Sequence, residues 1–412
     1  MNKHKNAKEG IISILFIFSV FFLPFTFALN PNDNIDLSIV RILIPSLFLI
    51  WLGVSLFKKK LFIDTRFRFW ALIGLVFLSF VSILWSEEPY WAFRKSLFLA
   101  SILPIYFISF SYFKNKSKFN KFSKALCFSA LLVALLGIVQ FFSQFFFDLN
   151  SILSFHQKIT PFFLGNNFAK EVAEYNSWLV NIKGQTILRS FAVFPDPHLF
   201  SIFLNLSLPF ILYNYLKTKQ KRYLIIIFLV LLGVFLSFSR AGYLAVFVLF
   251  VISIFFFKPF KKNFLVFLFS LLVFLSLLGV FHQRFLSAFN LQEGSVSGRL
   301  EMLEKSWQVF KENPLKGTGI GNLPAVLDSN NDYRKPVYAH NLFLDFASEL
   351  GVIGLTFLSI TILAPMIVIF KKPGLKRKII ALSILALLIH SMFETPFYSV
   401  RVFPLILIIL SI

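Results

Sequence analysis

Cysteine is almost missing from this chain of 412 residues: the single one, Cys127, lies inside an apolar run. That excludes a disulfide within the chain and any cysteine-rich metal site. Charge is sparse too, at 15% Asp, Glu, Lys and Arg, where a soluble domain carries about 25%. Acids are scarcer still, 19 against 41 bases. No His-Glu-x-x-His pair or carboxylate cluster offers ligands to a metal, so none is expected, nor any cofactor. The run Gly317-Thr318-Gly319-Ile320-Gly321 lacks the flanking strand and helix of a nucleotide loop and reads as a turn.

What fills the chain instead is apolar: 57% of its residues are hydrophobic. Windows of about 20 apolar residues recur along nearly the whole length, which predicts one all-α, polytopic transmembrane domain over 1–412. The expected spans are 10–29, 37–57, 69–86, 95–113, 125–147, 198–216, 223–239, 241–257, 264–281, 341–370, 379–392 and 398–412, about twelve transmembrane helices in all. A break near Gly351 or Gly354 suits the long 341–370 segment. The first span has a basic lead and reads as an uncleaved anchor rather than a signal peptide.

A net charge of +22 suits nucleic acid in principle, but its placement argues for topology. Most bases gather in six islands, 1–9, 58–68, 114–124, 217–222, 258–262 and 371–378, with Glu9 and Asp64 as the acids among them. Alternate connections hold Asp33, Asp36, Glu87, Glu88 and the remaining mixed loops. This is the positive-inside pattern, so the islands and both termini are expected to be cytoplasmic and the mixed loops outside. The islands have little aromatic interleaving, and no nucleic-acid partner is expected.

Two outer loops are longer than a connection needs, and such loops usually have a task. The first, 148–197, ends in Arg189-Ser190-Phe191-Ala192-Val193-Phe194-Pro195-Asp196-Pro197-His198. The second, 282–340, contains an amphipathic helix: Ser297 can cap it, Leu300, Leu303, Trp307 and Phe310 recur on one face, and Pro314 with Gly317 ends it. Its first turn carries Arg299. Between two apolar runs stands Arg240, a permanent charge that must face a polar cavity, an anion or the membrane surface. His340 falls at the outer mouth of a span, where an imidazole titrates near neutrality. Glu349 lies deeper and needs a basic or hydrogen-bonding partner. His390 and Glu394, one helical turn apart near another outer end, either line the same cavity or, as the safer reading, form a structural pair.

Five motifs occur in order: Arg189-x-Phe-x-x-x-Pro-x-Pro197-His198, Ser239-Arg240-x-Gly242, Ser295-x-Ser297-Gly298-Arg299, Asn313-Pro-Leu-Lys-Gly317-x-Gly319-x-Gly321, and His340-Asn341-x-x-Leu344-x-x-x-x-Glu349-x-Gly351. Over about 185–400 the chain resembles the O-antigen ligase and O-antigen polymerase superfamily of bacterial inner-membrane glycosyltransferases. It departs at Asp196 and His198, where related ligases often carry Asn.

The resemblance implies an enzyme that moves a glycan from an undecaprenyl- or other polyprenyl-diphosphate carrier to an acceptor hydroxyl at the outer face of the cytoplasmic membrane, as in lipopolysaccharide and cell-surface polysaccharide biosynthesis. Arg240, Arg299 and Arg189 are then the candidates for holding the diphosphate, whose oxygens a guanidinium matches in a bidentate way. His340 is the candidate general base for direct displacement with inversion, and Glu349 orients a neighbouring group. The acceptor is a lipid core, a glycan or a protein: a repeat-unit polymerase and a protein O-oligosaccharyltransferase share this donor chemistry. A transporter or flippase of lipid-linked sugars is the reading from a different class, but no repeat relates the two halves as transporters commonly show.

Overall fold

The computed structural model describes residues 2–32, 35–174, 176–182, 184–257, 294–328, 337–371 and 374–412. The helices are α1 (Asn2–Phe22), α2 (Val40–Phe57), α3 (Phe67–Val81), α4 (Pro89–Ile102), α5 (Pro104–Phe113), α6 (Lys118–Ser143), α7 (Leu149–Leu164), α8 (Asn166–Glu174), α9 (Pro197–Thr218), α10 (Arg222–Leu236), α11 (Arg240–Phe256), α12 (Gly294–Glu312), α13 (Leu323–Leu327), α14 (Leu342–Lys371), α15 (Leu375–Ser391) and α16 (Phe403–Ser411). Two antiparallel hairpins join them, β1 (Ala28–Asn32) with β2 (Ile35–Ser38) and β3 (Leu179–Ile182) with β4 (Gln185–Leu188). The chain is therefore mostly helical rather than strictly all-α. Among the described residues six helices are long and apolar enough to cross a membrane, and three shorter apolar ones accompany them.

Proline sets two of the boundaries. It has no N–H to donate, so Pro104 separates α4 from α5 within one apolar stretch, and Pro197 opens α9 at the position where a missing N–H costs nothing. Asp196 caps α9, its carboxylate accepting from the backbone N–H of His198 and Leu199 at 2.8 Å each. Of α9's apolar window 78% is buried, the largest share of any of the six spans, which makes it the central helix. Around it pack α6, α10, α11 and α15.

Charge is segregated along that axis. At one end Lys376 Nζ donates to Lys116 O (2.6 Å), Lys378 Nζ to Phe256 O (2.7 Å) and Tyr213 Oη to Asn120 Oδ1 (2.7 Å), so the basic segments 114–124 and 371–378 meet there. His198 begins α9 at the other end. From His198 to Tyr213 the helix rises roughly 22 Å, most of a hydrocarbon thickness.

Several expectations are corrected. The 148–197 loop holds α7, α8 and the β3–β4 hairpin, because Asp148 caps a helix through Ser151 N–H (3.1 Å) and apolar residues recur behind it. The final span, 398–412, is a short 3₁₀ turn and then the nine-residue α16. At 1.5 Å per residue α16 covers only about 14 Å, and its side chains are buried by protein. Composition made it look like a crossing; its apolar residues serve the interior, against α5. The span at 264–281 and the basic island at 258–262 lie outside the described residues.

The long segment does break, at Gly351, where φ is 64° and ψ −166° within α14. Val352 N–H turns there to Pro314 O (2.8 Å), tying α14 to the loop after α12. A Cβ at Gly351 would overlap the Leu315 carbonyl, and its φ is one that side chains rarely adopt. Gly351→Ala is expected to cost about 1–3 kcal/mol, read as a lower midpoint of thermal unfolding in detergent micelles. An unchanged midpoint would show that the kink is not a constrained element.

Candidate active site

Arg189 leaves β4 into a loop that is stapled on every side. Ser190 N–H donates to Leu236 O (2.9 Å) and Ser190 Oγ to Gly137 O (2.6 Å), while Gln140 Oε1 accepts from Phe191 and Ala192 N–H at 3.0 and 2.7 Å. Trp178 stacks on Phe191 with centroids 4.6 Å apart and donates to Pro195 O (2.8 Å). Arg189 itself is buried, its Nε donating to Ser237 O (2.8 Å) and its Nη1 to Ser177 O (2.9 Å). Much of its donor capacity goes to backbone carbonyls, so it binds the loop to the α10–α11 turn.

That turn carries Ser239, which caps α11 through Gly242 N–H (3.3 Å), and Arg240 as its first residue. Ser239 Oγ lies 3.2 Å from His198 Nδ1. The other ring nitrogen, Nε2, is 3.5 Å from Arg189 Nη2 and 3.4 Å from Arg299 Nη2. A guanidinium cannot accept a hydrogen bond, so Nε2 must be the accepting nitrogen and His198 the neutral tautomer protonated on Nδ1.

Glu394 is the centre of the cluster. One carboxylate oxygen, Oε1, is 3.1 Å from Arg299 Nη2 and 3.7 Å from His198 Nδ1; the other, Oε2, is 3.6 Å from His340 Nδ1. Burial opposes ionisation of Glu394, but the Nδ1–H side of the His198 ring that faces it, together with His340 and Arg299, outweighs burial and holds the carboxyl well below its usual range. For His340 burial alone would favour the neutral ring; the Glu394 carboxylate wins and raises it above the ordinary histidine value. Asp196, beneath His198, is pushed up to about 6 by burial and by Glu394.

The arrangement joins four distant stretches of chain: the start of α9, the first turns of α12, the segment just before α14 and the turn after α15. Arg299 and His340, both expected from sequence, meet through Glu394. Arg240 follows directly on Ser239, whose hydroxyl faces His198. Glu349 stands apart: it is buried and accepts from Tyr398 Oη (2.8 Å) and from the backbone N–H groups of Gly321 and Leu323. Its neighbouring cation is Lys95, whose Nζ sits 3.3 Å from the Tyr398 ring centroid. Glu349 is also tied to the glycine turn through its backbone, where Gly319 N–H donates to Glu349 O (2.8 Å).

The expected His390–Glu394 pair is corrected. Helix α15 stops at Ser391, so the two are not on consecutive turns of one helix. Glu394 N–H donates to His390 O (2.9 Å), while His390 Nε2 faces Asn205 Nδ2 at 2.9 Å. The carboxylate is thereby turned to Arg299 and the two other imidazoles. Sequence reading gave His198 no role and set Glu394 chiefly as a partner of His390; the signal that could have found them was a pair of ionisable residues near prolines at two apolar boundaries.

No curated protein matches the chain. Residues 225–359 match the family model described as O-Antigen ligase. The matched stretch contains Arg240, Arg299, His340 and Glu349 and stops between His198 and Glu394, which the fold then adds to it. Over residues 225–359 the chain is thus similar to the O-antigen ligase family.

Proposed function

We propose that this protein transfers a glycan from a polyprenyl-diphosphate carrier to an acceptor hydroxyl, at the end of the bundle opposite the basic segments. The observation that carries the reading is the convergence of Arg299, His198 and His340 on Glu394, next to the start of α11. The match of residues 225–359 to the O-antigen ligase family model supports a membrane glycosyltransferase of the ligase type.

The chemistry follows from charge. Breaking the bond between the anomeric carbon and phosphate leaves its electron pair on the diphosphate, where negative charge grows. Arg299 and Arg240 supply permanent positive charge there, and the N-terminus of α11 adds its own anion preference. Arg189 acts behind them by shaping the loop. His340 turns Nδ1 to Glu394, which leaves Nε2 to take the proton of the acceptor hydroxyl as its oxygen attacks. Glu394 orients the ring and stabilises the imidazolium that forms, much as a carboxylate does in a catalytic triad. Direct attack gives inversion. Glu349 supports the site from the glycine turn rather than meeting the sugar.

Reconstitution with a polyprenyl-diphosphate glycan and a lipid-core, glycan or protein acceptor tests this. Arg299→Ala is expected to lose about 10²-fold in transfer, with Arg299→Lys recovering only part because the fork is lost. Wild-type rates in Arg299→Ala would remove the diphosphate assignment.

A further inference from the structure

We propose that Asp345 is a positioning residue that clamps His340 against Glu394; the inference rests on the reading of His340 as the base. Asp345 lies in the first turn of α14 and is 1% exposed. Its Oδ1 accepts the backbone N–H of Ala339 at 2.7 Å, and its Oδ2 accepts the hydroxyl of Thr395. Ala339 immediately precedes His340, and Thr395 immediately follows Glu394. One carboxylate thus holds the backbone beside the base and the side chain beside its counterion.

Local capping does not account for these bonds. The orphan amides at the start of α14 are already served by Asn341, whose Oδ1 accepts from Phe343 and Leu344 N–H at 3.1 Å each. Asp345 N–H returns to Asn341 O (2.9 Å), which makes the first turn a firm platform. Both Asp345 oxygens therefore reach outside the helix. What they reach needs holding: His340 has φ 52°, a left-handed conformation uncommon for a residue with a side chain. Such a residue persists only where its surroundings over-determine it, and the bond to Ala339 lies directly beside it.

The charges around the clamp are known. Asp345 is faced by Glu349 on its own helix, by Lys95 from α4, by Tyr398 and by His340; His340 is faced by Glu394, Arg299 and Asp345, with His198 across the carboxylate. Charge and position can be separated with an isostere. In Asp345→Asn the amide oxygen still accepts from Ala339, and the amide nitrogen donates to the Thr395 hydroxyl. Asp345→Ala removes both links.

The test follows the His340 ring by NMR titration of histidine-labelled protein in lipid nanodiscs, assigned with His340→Gln, alongside glycan transfer. Asp345→Ala is expected to move the His340 midpoint down towards that of Glu394→Gln and to lower kcat by about 10²-fold, the order of loss from a misplacement of about 1 Å, at unchanged donor KM. Asp345→Asn is expected to keep most of the upward shift and most of the turnover. Thr395→Val, which cuts only the Oδ2 link, gives a smaller shift in the same direction and serves if Asp345→Ala does not fold. A His340 midpoint and kcat in Asp345→Ala equal to wild type overturn the clamp. Equal losses in the Asn and Ala variants also overturn it, because charge rather than position would then be the cause. A shifted midpoint in a protein that transfers no glycan even as wild type leaves the clamp standing and removes the glycosyl-transfer reading.

Discussion

His340→Ala is expected to lower glycan transfer by about 10²–10⁴-fold, the contribution of a positioned general base. The donor KM should change little, because the guanidinium groups assigned to the diphosphate remain. The pH dependence of the wild type carries the same claim. A base works in its neutral form, and contact with Glu394 raises His340 above the ordinary histidine value against the opposing effect of burial. The rate should therefore fall as pH drops through a limb lying above that ordinary value, and plateau on the alkaline side. Residual transfer in His340→Ala should lose this limb. A variant that transfers at the wild-type rate, or one that keeps the limb, would assign the proton to another group.

Glu394→Gln is expected to cost up to about 10⁴-fold in kcat, the scale seen when a triad carboxylate becomes an amide. The substitution preserves volume but deletes the charge that Arg299, His198 and His340 share. Without it the His340 limb moves to lower pH, since what raised the ring is gone. Donor affinity should hold or improve, because Arg299 is released from its 3.1 Å contact and presents more charge to an anion. The split between kcat and KM separates this role from simple misfolding, which would lower both amounts of active protein and binding. If Glu394 and His340 act as one unit, the double variant is no worse than His340→Ala alone. Multiplying losses would mean that they act independently.

The β3–β4 hairpin and the helices of the 148–197 loop escaped the sequence reading for a physical reason. Their apolar residues, such as Ile152, Val172, Trp178 and Leu188, pack on one another in a small cluster of their own, which periodicity within a single element does not show. Helix α16 failed in the opposite direction. Its run of Leu and Ile satisfies any measure of a membrane span, yet neighbouring helices rather than lipid surround it. Hydropathy registers the removal of side chains from water and is silent on what replaces it.

The site was half legible. Arg299 and His340 stood out because each lies within a motif near the start of a helix, where a charge or imidazole has few structural uses. Glu394 was misread because the i, i+4 spacing from His390 presumes that the helix continues, and it ends at Ser391. Arg189 looked like an anion ligand and is placed among carbonyls, since only the fold brings Ser237 and Ser177 to its guanidinium.

By itself the sequence determined the solvent this protein folds in, the apolar helices that follow, the gathering of positive charge into separate segments and the family motifs in their order. These are local properties: hydropathy, periodicity and spacing act over a few turns of chain. Tertiary structure alone decided that residues 198, 299, 340 and 394 share one carboxylate, and that His340 is held in a left-handed turn beside it. Those contacts join positions up to almost two hundred residues apart, and their geometry depends on how α9, α12, α14 and α15 pack rather than on the sequence around any one of them.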